Sequence, residues 1–498
     1  MEVTARLTIL LLFALSHQAF GKNDWTKPCH DGICRYDIEE DSTSMGGTIE
    51  ISGSTSAISD VTPAAGWDIL NCTDSTNTQT ILLACTDESL GCNHIFDVDA
   101  KDTIIRLPQD CGSGPFVRVV DHWIPEVDLL SPNLTSKLER RNIKVHALQI
   151  DDHFEQMSNL HGAVLFQVNA QGPLQAVTKH RKRQNGSGFE NTNITVPNNS
   201  LFSFFNDQLS CPVLGESTMP QQMSAELTIS SMSLQVTLSM VSRGTLNPPS
   251  VTSLNFSTPT TGHITGTLSV RSFLQGIVNS VGAEIVNIAL PPFLIDGIMT
   301  TNPSFVITLN SVGLAQLQSN MVTDVVFLID IEVLFNYPTN SPPATVDISV
   351  FPTSAFAVSL MPSENSNVQL ELNAVFQLIV EVSAFTSFVD LSVLYDLGHN
   401  IAMTALPSEP NNEEVCVNVT KTFEAQVSND GPFFVVFEEA SSLPLFEKEI
   451  TVLSTCKVVP LGPSPPITRF TRSSLYERDV LSCAPTLAVS QDALSFEI

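Results

Sequence analysis

No lysine or arginine occurs between residues 272 and 420. A stretch of that length without cations carries no basic helix and no side chain to grip phosphate, so nucleic-acid recognition is excluded from that part of the chain. Cations are scarce elsewhere too, with 23 Lys and Arg against 52 Asp and Glu and a formal net charge of -29. Long-range repulsion of that sign opposes binding to nucleic acid and anionic membranes. It suits cationic partners or an acidic setting, and it also keeps a chain that is 43% hydrophobic in solution.

Signatures of chemistry are equally scarce. The chain has no HExxH, no paired CxxC and no G-x-S-x-G elbow. Asp-Thr-Gly and Asp-Ser-Gly are missing as well. No catalytic residue, metal ligand or cofactor is therefore assigned from sequence. Beyond the N-terminus no window approaches the roughly 20 apolar residues that a membrane-spanning helix needs. The apolar core at 7–15, preceded by Arg6 and followed by Ala19-Phe20-Gly21, reads as a secretory signal peptide over 1–21. The expected location is secreted, in the medium or in a cell wall.

What the chain does contain is alternation. From 368 to 384 every second residue is apolar (Val368, Leu370, Leu372, Ala374, Phe376, Leu378, Val380, Val382, Ala384). A period of two means a strand with one buried and one wet face, and a run of this length far exceeds the usual 5 to 6 residues or so. The same pattern recurs at Phe305, Ile307 and Leu309, along 325–337, at Val346, Ile348 and Val350, and at Val389, Leu391, Val393 and Tyr395. Leu227 and Ile229 hold one phase, whereas Met232, Leu234, Val236, Leu238 and Met240 hold the other. A bulge is expected across Ser230-Ser231, because a one-residue slip turns every side chain to the opposite face. Only 272–294, with Gly276, Gly282 and Pro291-Pro292, reads ambiguously, a short helix and a loop being one reading.

Ten cysteines fall in two even groups: Cys29, Cys34, Cys72, Cys85, Cys92 and Cys111 early, and Cys211, Cys416, Cys456 and Cys483 late. Their spacing suits structural disulfides in an oxidising compartment. Seven sequons, at Asn71, Asn133, Asn185, Asn193, Asn198, Asn255 and Asn418, fit a glycosylated surface. The expected fold is all-β, with a small disulfide-stapled domain at 22–127 and a larger antiparallel sandwich or barrel of long strands at 201–498. The segment 128–200 between them reads as a basic, glycosylated linker. It carries the dibasic pair Lys182-Arg183, a signature of kexin-type processing, and a weaker pair at Arg140-Arg141.

Three patches carry a resemblance. They are Cys34-Arg35-Tyr36-Asp37-Ile38 with SGSTSAISDVTPAAGW (52–67) and RLPQDCGSGPFVRV (106–119), then Leu209-Ser210-Cys211-Pro212, then Cys416 through Gly431-Pro432-Phe433-Phe434 and Leu443-Pro444-Leu445-Phe446 to Cys456. In these the chain resembles a family of secreted fungal proteins, mainly basidiomycete, that share a domain of unknown function. The resemblance implies secretion and a β-rich body and carries over no catalytic residue. The long strands of this chain hold fewer charges and fewer Gly and Asp residues than that family's. The echo of Leu209-Ser210-Cys211 in Leu481-Ser482-Cys483 suggests a Cys211 to Cys483 bridge, with Cys416 to Cys456 closing a hairpin.

Among single residues, Asp121-His122-Trp123 is the most suggestive cluster, and His94 is a second candidate acid or base. Asp97, Asp99 and Asp102 resemble part of a calcium loop but lack its glycine and closing glutamate. Gly112-Ser113-Gly114 reads as a turn. Trp67 and Trp123 form a candidate platform for stacking on a sugar ring, with core packing as the competing role. The expected function is that of a secreted acidic glycoprotein, structural or attached to the cell surface or wall. Its partners would be wall polysaccharide or another extracellular protein. The alternatives are a carbohydrate-binding protein or glycosidase and a lipid carrier with an apolar β cavity.

Overall fold

A computed structural model describes residues 23–41, 44–125, 144–174, 194–212, 218–272, 274–316, 320–337, 355–359, 367–409, 412–460, 482–483 and 494–497. The protein is all-β. Its described helices are 3-10 turns of three to five residues.

Two large sheets and one small sheet make up the fold. The first large sheet runs in the order Ile33–Ile38, Gly46–Ser52, Leu165–Leu174, Thr218–Leu246, Pro249–Ser272, Asn320–Tyr337, Ala355–Ser359 and Leu494–Glu497. Ser200–Pro212 and Ile194–Thr195 also pair with Thr218–Leu246. The second runs Ser441–Pro460, Asn412–Asn429, Ser387–Glu409, Asn367–Ala384, Met299–Gln316, Leu274–Ala289 and Ser482–Cys483. Every ladder in these two sheets is antiparallel.

Strand length is the unusual feature. Thr218–Leu246 has 29 residues and Pro249–Ser272 has 24, so the longer spans on the order of 90 Å at a rise of about 3.3 Å per residue. The alternation that foretold such strands is met by the burial: Leu370, Leu372, Ala374, Phe376, Leu378, Val380, Val382 and Ala384 are all buried. The expected bulge is present, since the register between Thr218–Leu246 and Pro249–Ser272 shifts between Ile229 and Ser231. Leu227 and Ile229 before it and Met232, Leu234, Val236, Leu238 and Met240 after it therefore all reach the core.

The inner faces of the two large sheets share one core, in which Leu227, Leu234 and Phe256 of the first cluster with Phe305, Leu378 and Tyr395 of the second. Burial pushes the Tyr395 phenol up to about 12, while a hydrogen bond with Thr260 of the opposite sheet pulls the other way. A cavity lined by Phe256, Leu391, Val427 and Leu443 has room for about 10 Å³, roughly one water. The small sheet, ordered Ile58–Asp60, Ile104–Arg106, Phe116–Trp123, Val145–Asp151, Gln79–Cys85 and Trp67–Asn71, has two apolar faces. Ile58, Ile104 and Phe116 join the main core, whereas Trp67, Ile105, Val117 and Leu148 form a second one.

The structure departs from the sequence expectation in two places. Residues 274–289 form a strand and not a helix, because bulges at 280/283 and 284/286 absorb the irregular, glycine-bearing pattern without breaking the ladder with Met299–Gln316. The segment read as linker supplies the strands Val145–Asp151 and Leu165–Leu174. The second of these joins Gly46–Ser52 to Thr218–Leu246, so residues on both sides of the expected boundary share one sheet.

Disulfides link Cys29 to Cys34, Cys72 to Cys111, Cys85 to Cys92 and Cys416 to Cys456. The last joins directly paired residues of two adjacent strands, as the hairpin reading expects. The side chains of Cys211 and Cys483 lie outside the described set, although the strands that carry them, Ser200–Pro212 and Ser482–Cys483, are neighbours. The signal peptide, Asn133, Asn185, Asn193, Arg140-Arg141 and Lys182-Arg183 also lie outside the described residues.

Candidate functional site

The Cys85 to Cys92 bridge holds the 3-10 segment Cys92–Phe96 against the small sheet. Phe96, at the end of that segment, packs over two histidines, with ring centres 4.4 Å from His122 and 4.6 Å from His146. His122 comes from Phe116–Trp123 and His146 from the adjacent Val145–Asp151, where His122 pairs with Leu148. The two imidazoles are therefore diagonal neighbours across one ladder, within reach of each other. Their rings lie 5.3 Å apart at 21°, and His122 Nε2 is 3.0 Å from His146 Nδ1. One nitrogen donates and the other accepts. Trp67 closes the group with an edge contact to His146 at 5.8 Å and to Phe96 at 6.1 Å.

Both imidazoles are biased toward the neutral form. Burial lowers the His122 pKa against the pull of Asp121 and Asp99. For His146, burial comes first, then the proximity of His122 and Lys144, and the result is about 4. Near neutral pH the pair thus presents two uncharged nitrogens beside two carboxylates. Asp121 Oδ1 meanwhile accepts a hydrogen bond from the His122 backbone N–H.

The other sequence candidates resolve into structural roles. Trp67 is 1% exposed and has no free face for a sugar, so the two-tryptophan platform does not form; Trp123 is 38% exposed. His94 Nδ1 lies 3.1 Å from the Ser59 hydroxyl, and its ring stacks on His30 at 4.3 Å. Because Ser59 is buried, this contact offers no nucleophile to a substrate. Asp102 is buried too, accepting hydrogen bonds from Ser158 N and Oγ and lying 3.7 Å from Arg118, while Asp99 accepts from Lys101 N. Those carboxylates are occupied by the fold and do not converge as a calcium loop. Gly112 takes φ +76° in a turn tied down by Gly112 N to Thr73 O and Gly114 N to Asn77 Oδ1. Glu414, Cys416 and Cys456 lie close together, but both sulfurs are spent in the disulfide.

On the outer face of the second large sheet Asp396 stands opposite Glu424, and Glu424 opposite Glu447, in neighbouring strands. Burial, Glu424 and Glu371 push the Asp396 carboxyl up to about 6. Asn198, Asn255 and Asn418 are exposed. Asn71 is engaged by the backbone, its Oδ1 accepting from Leu82 N at 2.6 Å and its Nδ2 donating to Thr80 O at 3.3 Å.

Sequence reading reached His122 but missed His146 and Phe96. His146 is a lone histidine 24 residues away, and only the ladder between the two strands brings them together. No protein-family model, no curated protein and no solved structure matches the chain.

Proposed function

We propose that the protein is a non-enzymatic, secreted structural glycoprotein of the cell surface or wall, related to the secreted fungal family that its three sequence patches resemble. The observation that carries this reading is the pair of very long antiparallel sheets that share one apolar core. Strands of 18 to 29 residues, paired along most of their length, give an extended, stiff body. The four described disulfides and the exposed sequon asparagines support an oxidising, extracellular setting. Among the described residues no helix is long and apolar enough to cross a membrane. A lipid carrier needs a cavity of several hundred Å³, and the 10 Å³ space between the sheets gives that reading no support.

Fractionation of the producing cells tests the proposal, with the intact chain expected in the medium or the wall fraction. A polysaccharide hydrolysis screen on the purified protein is expected to be blank, and reproducible hydrolysis would overturn the structural reading. The exposure of Trp123 favours one second reading, glycan binding without hydrolysis. A glycan-array signal that Trp123→Ala abolishes would establish it.

A further inference from the structure

We propose that His122 and His146 form a chelating site for a borderline divalent transition metal of the copper(II) or zinc(II) class. The two nitrogens, His122 Nε2 and His146 Nδ1, are 3.0 Å apart on adjacent strands. Metal to imidazole bonds of about 2.0–2.1 Å that meet near a right angle place their nitrogens about 3 Å apart. The spacing therefore suits two cis ligands. In the metal-free pair the nitrogens share a hydrogen bond, so binding needs each ring to turn its lone pair off the line between them and onto a common point.

The proton balance is simple. Each neutral imidazole carries one N–H, and one of these lies between the rings. When the metal takes both facing nitrogens, the donor ring moves its hydrogen to its other nitrogen, and the pair releases no proton. The surroundings favour such a site. Phe96 covers both rings and Trp67 abuts His146, which keeps the two imidazoles side by side. The negative charges of Asp121 and Asp99 act on His122 and favour a cation, whereas Lys144 opposes it. Both rings are only partly buried. The proposed ion would approach from the exposed side of the pair and complete its shell with water.

The test is titration of the full secreted chain with Cu²⁺ at neutral pH, followed by calorimetry and by pulsed electron paramagnetic resonance. One equivalent is expected to bind with the modulation pattern of two equatorial imidazoles. His122→Gln and His146→Gln should each weaken binding about tenfold or more and leave a one-imidazole pattern. Near-UV circular dichroism checks that each variant is folded. If a variant does not fold, diethyl pyrocarbonate labelling of the wild type takes its place, and Cu²⁺ should protect His122 and His146 together. Absence of a one-equivalent site, a site indifferent to both substitutions, or labelling unchanged by the metal would each overturn the proposal.

Discussion

At the scale of single residues, the His122 and His146 pair makes the small sheet sensitive to acid. Both pKa values are lowered in the folded state, and His146 falls to about 4. Between the unfolded value near 6.5 and about 4 the unfolded chain binds more protons than the folded one, so stability falls as pH falls through that window and is fully present above it. Thermal melts followed by near-UV circular dichroism should show this loss, and His146→Gln should flatten it; an unchanged slope in the variant would exclude the pair as its source. The two tryptophans give a sharper contrast. Trp67→Ala removes a ring at 1% exposure and is expected to cost about 3–5 kcal/mol. Trp123→Ala should lie within about 0.5 kcal/mol of wild type by chemical denaturation. Sequence marked both tryptophans and His122 as notable but could not rank them, because burial and the partner His146 are set by contacts between distant strands. The buried ion pairs Arg118 with Asp151 and Arg106 with Asp60 were equally hidden, since their members are 33 and 46 residues apart.

At the scale of elements, the sequence was most readable where one face of a strand is buried and the other wet. Asn367–Ala384 and the bulge after Ile229 could both be read from hydrophobic phase, because a slip of one residue would turn the apolar set to solvent. Leu274–Ala289 read ambiguously because its bulges scramble that phase. The outer faces carry a weaker signal, and there the second sheet sets like charges opposite one another. Asp396, Glu424 and Glu447 stand in one row, and directly opposed like charges destabilise a ladder. The folded pKa of Asp396, about 6, exceeds the ordinary carboxylate value of 3.8, so the folded state binds the extra proton and this residue favours folding more as pH drops from about 6 toward 4. Asp396→Asn is accordingly expected to raise the melting temperature at pH 7, with the gain vanishing near pH 4. An equal gain at both pH values would show that the charge of Asp396 is not its cause.

At the scale of the whole molecule, the boundaries suggested by composition and cysteine spacing do not coincide with the packing. Gly46–Ser52 pairs with Leu165–Leu174, which pairs in turn with Thr218–Leu246, and Ile58, Ile104 and Phe116 of the small sheet belong to the main core. Composition could not reveal this, because pairing between remote strands leaves no local trace in either partner. It bears on the dibasic pair Lys182-Arg183, where a kexin-type protease is expected to cut. The four described disulfides each join residues on the same side of that point, so no described covalent bond spans it. What spans it is the Leu165–Leu174 ladder, ten residue pairs with Thr218–Leu246, together with the apolar contacts beneath. Buried Phe166, Val168, Ala170 and Leu174 keep that interface out of water, and such area contributes roughly 25 cal/mol per Å². Cleavage after Arg183 is therefore expected to leave the two pieces associated. They should co-elute in native gel filtration at the mass of the intact chain and separate only in denaturant, with or without reductant. Elution of two separate species under native conditions would mean that the shared sheet does not hold the halves together.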